Sequence, residues 1–292
     1  MINRYGPQLV TANLQRTLGS LRQQLNVAER QAITGVKVER PSDAPSRRQE
    51  IDRLFGTSEK QTAFKTNAGE SKLYMQTADT ALGNAANVMK RAREIAVQMA
   101  NEIHSAEARS TAAVEVREMF QQLVDIANTD VGGRFVFAGQ AYDKPAFDGT
   151  GVYQGTADVP EAQVGANQYV LMGMDGSSAF TTGVDTFGTL GALATALEAN
   201  DADGVRLQLN ALKTSVTQFS SARAQAGFSL NRADDAEAVA MNLEEVLQKG
   251  LADVVGVDPV DAYSRLNELR TSYEGALQVS AKSMGPKLFD FM

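Results

Sequence analysis

The residues that could act in catalysis are few in this chain of 292 residues, which contains one histidine and no cysteine. The histidine, His104, lies in a polar stretch between two apolar repeats, where a surface or turn position is expected. Nucleophilic catalysis needs a base beside the nucleophile, and no cysteine or second histidine can join His104. The lack of cysteine also excludes disulfide bonds and thiolate metal sites. The sequence therefore gives no support for a thiol enzyme or a transition-metal centre.

Three short motifs approach known binding or catalytic patterns without meeting them. Residues 149–155 come close to a dinucleotide fingerprint, but the glycines are spaced one residue too far apart and no helix is predicted to follow. Residues 201–204 lack the third ligand and the closing glutamate of a calcium loop, so Asp201 is expected to cap a helix. Glu244 and Glu245 are neighbours on a predicted helix and diverge, which suits solvent rather than acid–base catalysis. We therefore predict no enzymatic activity, no cofactor and no metal.

The elements that would position any functional group are helices, the longest of which is predicted from an apolar repeat. Its members recur in alternating steps of four and three: Phe64, Ala68, Ser71, Met75, Ala78, Leu82, Ala85, Met89, Ala92, Ala96, Met99 and Ile103. This is the a/d spacing of a coiled coil. One helix from Gln61 onward would be about 60 Å long, at about 1.5 Å per residue. The alternative, an ordinary core helix, explains the spacing but not the length, since typical helices end near about 20 residues.

Both ends of the chain carry a similar repeat. The N-terminal positions are Leu14, Leu18, Leu21, Leu25, Ala28 and Ala32, and the C-terminal positions are Ala262, Leu266, Leu269, Tyr273, Ala276, Ser280 and Met284. The first helix is expected to end at Gly35, because glycine adopts the left-handed backbone of a helix stop at little cost. Either helix alone in water would expose an apolar stripe. We therefore expect the two ends of the chain to pair.

The remaining segments complete a palindromic order of helices around a central insert. Proline connectors near Pro41 and Pro259 separate the terminal helices from two rods, and the second rod carries a similar apolar repeat between Val205 and Leu247. A helical hairpin is predicted at the lapse around His104, and antiparallel packing of the two rods is the economical arrangement. Glycine-rich residues 132–191 contain short β-type runs and a tight-turn signal, and they are expected to bury little apolar surface.

The predicted fold class is therefore mainly α, with long antiparallel helical rods, a terminal coiled coil and a small β-rich insert. The domain boundaries follow from the connectors and the glycine-rich segment. A terminal coiled-coil domain is expected at 1–40 and 258–292, a helical rod domain at 41–131 and 192–257, and a β-rich inserted domain at 132–191.

Composition and charge restrict the partners and the location. A hydrophobic content of 43% allows a real core, and a net charge of −7 argues against nucleic acid as the main partner. The chain begins with polar residues and has no apolar run of the roughly 18 residues that a membrane span needs. The sequence therefore predicts no cleaved signal peptide and no membrane span, which fits a cytoplasmic protein or one exported by a route that reads no cleavable signal.

Four pieces of the sequence are recognisable as a set: residues 34–45, 93–101, 133–139 and 288–292. Together they resemble the flagellar hook-associated protein 3 family, the hook–filament junction proteins related to flagellin. The Phe-Ala-Gly run at 137–139 and the Leu-Phe-Asp-Phe ending favour this family over flagellin itself. Ala44 departs from the second acidic residue that is usual in the Pro-Ser-Asp connector of the family. The resemblance covers the whole length outside the central insert.

The resemblance implies a structural role in the bacterial flagellum. The terminal helices would line a tube, the rods would form an outer domain and the insert a surface knob. The implied subunit interface pairs the two seams within a subunit and against neighbours; its residues are Leu14, Leu18, Leu21, Leu25, Leu266, Leu269, Tyr273 and Leu277. The family also implies self-assembly into a ring or tube layer, the hook or another hook-associated protein on one side, flagellin on the other, an export chaperone and an extracellular location reached by type III export. The rival interpretations are a flagellin and, from another class, a type III secreted surface or adhesion protein whose insert binds a receptor.

Overall fold

The computed structural model describes residues 6–37 and 47–284. Within these residues the helices are α1 (Gly6–Thr34), α2 (Arg48–Met99), α3 (Ala106–Ala127), α4 (Gly176–Phe180), α5 (Thr186–Glu198), α6 (Ala202–Val255) and α7 (Pro259–Met284). The strands are β1 (Asp130–Val131), β2 (Arg134–Phe135), β3 (Glu161–Gly165) and β4 (Gln168–Leu171). They form two antiparallel pairs, β1 with β2 and β3 with β4. The predicted mainly α fold with a small β-containing insert is confirmed, whereas the Pro41 connector and the apolar ending lie outside the described residues.

The chain divides into two compact units. One contains the described parts of Met1–Ser58 and Glu245–Met292, and the other is Glu59–Glu244. We call them the terminal unit and the central unit. Among the residues that the structure describes, none of the helices combines the length and the apolar character that a membrane span needs. The three predicted domain boundaries stay a prediction.

In the central unit, α2 and α6 run antiparallel, because ion pairs join rising residue numbers on α2 to falling numbers on α6. These pairs are Lys65–Glu244 at 3.1 Å, Lys72–Asp234 at 2.6 Å and Asp79–Arg223 at 2.8 Å. Each is partly exposed, and exposed pairs stabilise a protein by only about 0–1 kcal/mol. The stability of the helix pair therefore depends on the apolar side chains between the helices.

The predicted seam of α2 lies at the centre of the apolar contact between α2 and α6. Nine consecutive members have no exposed surface: Ala68, Ser71, Met75, Ala78, Leu82, Ala85, Met89, Ala92 and Ala96. The extension of the seam to Ile103 is wrong, since α2 ends at Met99 and the Ile103 side chain is 92% exposed. The reason is a buried arginine: the Arg109 Nε donates to the Met99 carbonyl at 3.0 Å, and its Nη2 donates to the Asn101 carbonyl at 2.8 Å. These bonds satisfy carbonyl groups at the end of the helix.

The hairpin predicted around His104 is the α2–α3 connection. Ser105 caps α3, its hydroxyl accepting a hydrogen bond from the Ala108 backbone N–H at 3.2 Å. Beyond the turn, Arg91 on α2 and Glu115 on α3 form an ion pair at 2.9 Å. Alternating steps of four and three again bury one face of α3, which packs in the same core as α2. The chain therefore reverses direction where the apolar repeat lapses.

The insert differs from its prediction because it takes part in the main core. Phe137, Phe147, Phe180 and Phe187 are fully buried and contact one another, and Phe180 also meets Phe219 of α6. Their ring centroids lie 5.0–5.9 Å apart, within the range of favourable aromatic pairs. The expectation that residues 132–191 bury little apolar surface is therefore wrong. We call these five phenylalanines the aromatic cluster.

The β3–β4 hairpin lies on the α2–α6 pair. The Asn67 side-chain amide donates to the Gln163 carbonyl at 2.8 Å, and the Ser71 hydroxyl donates to the Leu171 carbonyl at 2.7 Å. Val164 and Val170 of the hairpin are buried in one cluster with alanines of both long helices. Small residues at this point of the two helices thus leave room for the hairpin.

Candidate assembly interface

The carboxylates that could have served in catalysis or metal binding instead take part in helix capping and ion pairs. Asp201 Oδ1 accepts from the Gly204 N–H at 2.9 Å, which confirms the predicted cap. Glu244 pairs with Lys65 and Glu245 with Lys249, so the two carboxylates diverge as expected. Among the described residues, no group of three or more histidine, cysteine or acidic side chains is arranged to hold a metal ion.

The glycine-rich segment 149–155 forms a loop that Asp148 organises. Its Oδ1 accepts from the backbone N–H groups of Thr150 at 2.8 Å and Val152 at 3.0 Å, and also from the Thr150 hydroxyl. The left-handed Gly151, with φ of 82°, places its backbone against Phe187, where a Cβ would come within 2.6 Å of that side chain. The segment is thus a packed turn.

We expect the Asp148 carboxyl to titrate below its ordinary pKa of 3.8, because the Thr150 hydroxyl and then the backbone N–H groups stabilise the carboxylate. A lowered pKa stabilises the folded loop above the unfolded value, and this contribution is lost as the pH falls through the folded pKa. The titration can be followed by NMR through the side-chain carboxyl carbon. A midpoint for Asp148 at or above its ordinary value of 3.8 would contradict the assignment.

In the terminal unit, α1 packs against α7. Two backbone hydrogen bonds join the end of α1 to the α6–α7 junction: Lys37 N–H to the Val255 carbonyl at 2.7 Å, and Val257 N–H to the Gly35 carbonyl at 3.0 Å. Gly35 ends α1 with φ of 68°, the left-handed stop that the sequence predicts. The two ends of the chain are therefore tied together at one end of the helix pair.

The predicted interface residues lie on or beside this contact. Seven of them are half-buried: Leu14, Leu18, Leu21, Leu25, Leu266, Leu269 and Tyr273. Leu277 follows Ala276 and so lies about 100° around the helix from it. The Leu277 side chain remains 44% exposed, whereas Ser280, which belongs to the same heptad repeat as Ala276, is buried. The role of these eight residues as a subunit interface stays a prediction.

Further apolar side chains of the terminal unit face solvent and were missed by the heptad pattern. They are Ile33, Val260, Tyr263 and Val279, all more than half exposed. Tyr263 and Val279 take the e and g positions that flank the a/d contact of a coiled coil, whereas Ile33 and Val260 take b positions away from it. An open groove of about 530 Å³ also runs between α1 and α7, with Val27 and Leu269 in its lining. Apolar surface left exposed on a helix pair marks a protein-interaction face.

We expect deletion of residues 258–292 to unfold α1 as well as remove α7, because α1 would lose the helix that covers its leucines. Circular dichroism should show a loss of helix beyond the 26 residues of α7, by up to the 29 residues of α1. Deletion of residues 285–292 alone keeps the whole of α7 and is the matched control. If deletion of residues 258–292 reduces the helix content only by the 26 residues of α7, the dependence of α1 on α7 is refuted.

Comparisons with known proteins identify relatives of this architecture. Residues 3–142 match the family model described as the bacterial flagellin N-terminal helical region. The chain is 23% identical over 288 residues to flagellar hook-associated protein 3 of Escherichia coli K12, covering 89% of this chain and 90% of the relative. The predicted resemblance to the hook-associated protein 3 family is thereby confirmed.

Solved structures share the fold. A structure described as a putative flagellar hook-associated protein from Vibrio parahaemolyticus matches with a TM-score of 0.67 and 20% identity, covering 73% of this chain and all of that one. The flagellar junction protein FlgL from Legionella pneumophila matches with a TM-score of 0.55 and 16% identity, over 64% of this chain and 99% of that one. The matched parts therefore have the same arrangement of helices as these two proteins.

Proposed function

We propose that this chain, a relative of flagellar hook-associated protein 3, is a structural component of the bacterial flagellum that joins the hook to the filament. The observation that carries the proposal is the α1–α7 pair, whose leucines are only half-buried in one subunit. A helix pair of this kind needs further apolar surface to complete its core, and copies of the same chain can supply it.

The proposed mechanism is mechanical. In the assembly, Leu14, Leu18, Leu21 and Leu25 would meet Leu266, Leu269, Tyr273 and Leu277 within and between subunits, so that the pairs line a tube. Completing the burial of a partly exposed leucine is worth about 0.5–1 kcal/mol, and this gain is repeated in every copy of a closed layer. One face of this layer would meet the hook or another hook-associated protein, and the other face would meet flagellin. No nucleic acid or membrane takes part.

Export and location follow from the same proposal. The subunit would leave the cell unfolded through the flagellar type III apparatus, accompanied before export by a chaperone, and would fold outside the cell in its layer. The protein would act as a scaffold and catalyse no reaction.

Deletion of the gene tests the proposal. Cells should keep the hook, lose motility and shed flagellin into the medium, because filament subunits would have no layer on which to assemble. A plasmid copy of the gene should restore filaments, while a copy with Leu21→Glu and Leu269→Glu should not, since both substitutions place charge in the seam. A motile deletion strain would reject the function and would favour the surface-adhesion alternative.

The second candidate is a flagellin, which the description of the matched family model favours. The two functions differ in how far assembly proceeds. A flagellin should grow long filaments from purified subunits, whereas a junction protein should add a limited layer. Electron microscopy of the purified protein, seeded with isolated hooks, separates these outcomes.

A further inference from the structure

A basic groove lies on the central unit outside the interface already described. It is an open groove of about 660 Å³ between α2 and α6. Lys90 and Arg93 of α2 and Lys213 of α6 line it, with the exposed Val97 among them. Among the described residues, none of these three cations has an acidic partner within 4.0 Å, in contrast to Arg91, which pairs with Glu94 and Glu115. The groove thus offers unpaired positive charge around an apolar side chain on a chain whose net charge is −7.

An acidic stripe of the opposite character runs along α3. Glu107, Val114, Glu118 and Asp125 are all exposed and recur in steps of seven, four and seven, so they share one face of the helix. This face lies opposite the buried face of α3, which packs in the core. No cation among the described residues pairs with these three carboxylates. We call this face the α3 stripe.

We propose that the α3 stripe of a second copy docks in the basic groove of the first. The charges are complementary, and each surface carries one valine that is more than half exposed, Val97 at 54% and Val114 at 60%. Lys90 precedes Val97 by seven residues, and Glu107 precedes Val114 by seven, a distance of about 10.5 Å along either helix. The two valines can therefore meet while Lys90 stands beside Glu107.

The α3 stripe is a better occupant of the basic groove than the acidic side chains of α6 around Asp234 and Glu244. On α6, Asp234 pairs with Lys72 and Glu244 pairs with Lys65 in the same subunit, so much of that charge is already satisfied. The groove and the α3 stripe are different surfaces of one unit, which makes the contact heterologous. Each copy then offers one surface to each neighbour, and repetition of the contact produces a ring or a helical layer. The inference rests on the proposed function, since it assigns a lateral contact within the proposed layer.

Cysteine trapping tests the contact directly, because the natural chain contains no cysteine. Purified Val97→Cys and Val114→Cys chains are mixed, oxidised mildly and separated on a non-reducing gel. The mixed disulfide dimer should form several times faster in this mixture than in a control mixture of Val97→Cys and Val239→Cys chains. Val239 is the control because it is a similarly exposed valine on α6 that lies outside both surfaces. Equal rates for the two mixtures would overturn the proposal.

Charge reversal provides the second arm. Lys90→Glu on the Val97→Cys chain should reduce trapping toward the level of the Val239→Cys control. Glu107→Lys on the partner should restore it, because Lys90 stands beside Glu107 in the proposed register and the two charges become complementary again. Both side chains are exposed, and circular dichroism checks that the variants remain folded. Loss of trapping without restoration would overturn the assigned pairing.

Flagella sheared from cells that make the two single-cysteine chains together separate this inference from the proposed function. Recovery of the protein in the flagella tests the function, and the cross-linked dimer tests the contact. Absence of the protein would count against the function, while the mixture of purified chains would still decide the contact. If the protein is recovered in the flagella but forms no more cross-linked dimer than the Val239→Cys control, the contact is overturned and the proposed function is not.

Discussion

Replacement of Phe180 by alanine is expected to destabilise the central unit by about 3–5 kcal/mol, the usual cost of removing a buried phenylalanine side chain. Phe180 has no exposed surface and lies at the centre of the aromatic cluster. Its ring is 5.3 Å from those of Phe137 and Phe147, 5.9 Å from Phe187 and 5.1 Å from Phe219. The substitution leaves a cavity that four rigid rings cannot fill. Urea unfolding of the full-length protein, followed by circular dichroism, measures the loss.

The matched control is Phe228→Ala on α6. The Phe228 side chain is 70% exposed, so its removal should change the free energy of unfolding by no more than about 0.5 kcal/mol. A difference between the two variants isolates burial, because the deleted atoms are the same. Similar values for both would mean that the insert does not stabilise the unit through this cluster.

The result bears on function through the position of the insert. If the aromatic cluster stabilises the central unit, residues 132–191 cannot be exchanged as a separate binding module without loss of stability. The rival interpretation as a surface-adhesion protein assumes such a module.

Replacement of Arg109 by methionine is expected to destabilise the same unit by about 3 kcal/mol, because charge-assisted hydrogen bonds contribute about 1.5–3 kcal/mol each and orphaned acceptors add a penalty. Arg109 is buried, with only 4% of its surface exposed. It donates to the Met99 and Asn101 carbonyls and to the Asn200 side-chain oxygen. Methionine has a similar length, which limits the cavity. Urea unfolding measures the change, and hydrogen exchange of residues 99–105 locates it.

Two further variants show whether the loss of stability comes from burial, charge or hydrogen-bond geometry at position 109. Arg93→Met is the control, since Arg93 is exposed and has no acidic partner among the described residues, and it should be nearly neutral. Arg109→Lys keeps the charge but lacks the planar fork that reaches several acceptors, so it should recover only part of the stability. If Arg109→Met equals Arg93→Met, the arginine does not hold the α2–α3 turn together. If Arg109→Lys equals the natural protein, charge alone is sufficient.

The order and type of the helices were predictable from the sequence because the heptad pattern is local. Residues spaced by four and three share a helix face regardless of what covers it. Ala68 to Ala96 are accordingly buried in the predicted steps, and Gly35 and Asp201 end and begin helices as their backbone and side-chain chemistry indicate. For the candidate interface, the same pattern selected half-buried leucines on both terminal helices. What the sequence determined by itself is thus which faces are apolar.

Only the tertiary structure decided what covers each face. Arg109 meets Asn200 across 91 positions of sequence, and Phe137 and Phe219 join one cluster from the insert and from α6. No local period encodes such contacts, since they depend on where the chain returns after its turns. For this reason the heptad pattern extended α2 to Ile103, and the glycine-rich composition of residues 132–191 gave no sign of their burial. The contacts of distant segments fixed the end of α2 and the burial of the phenylalanines.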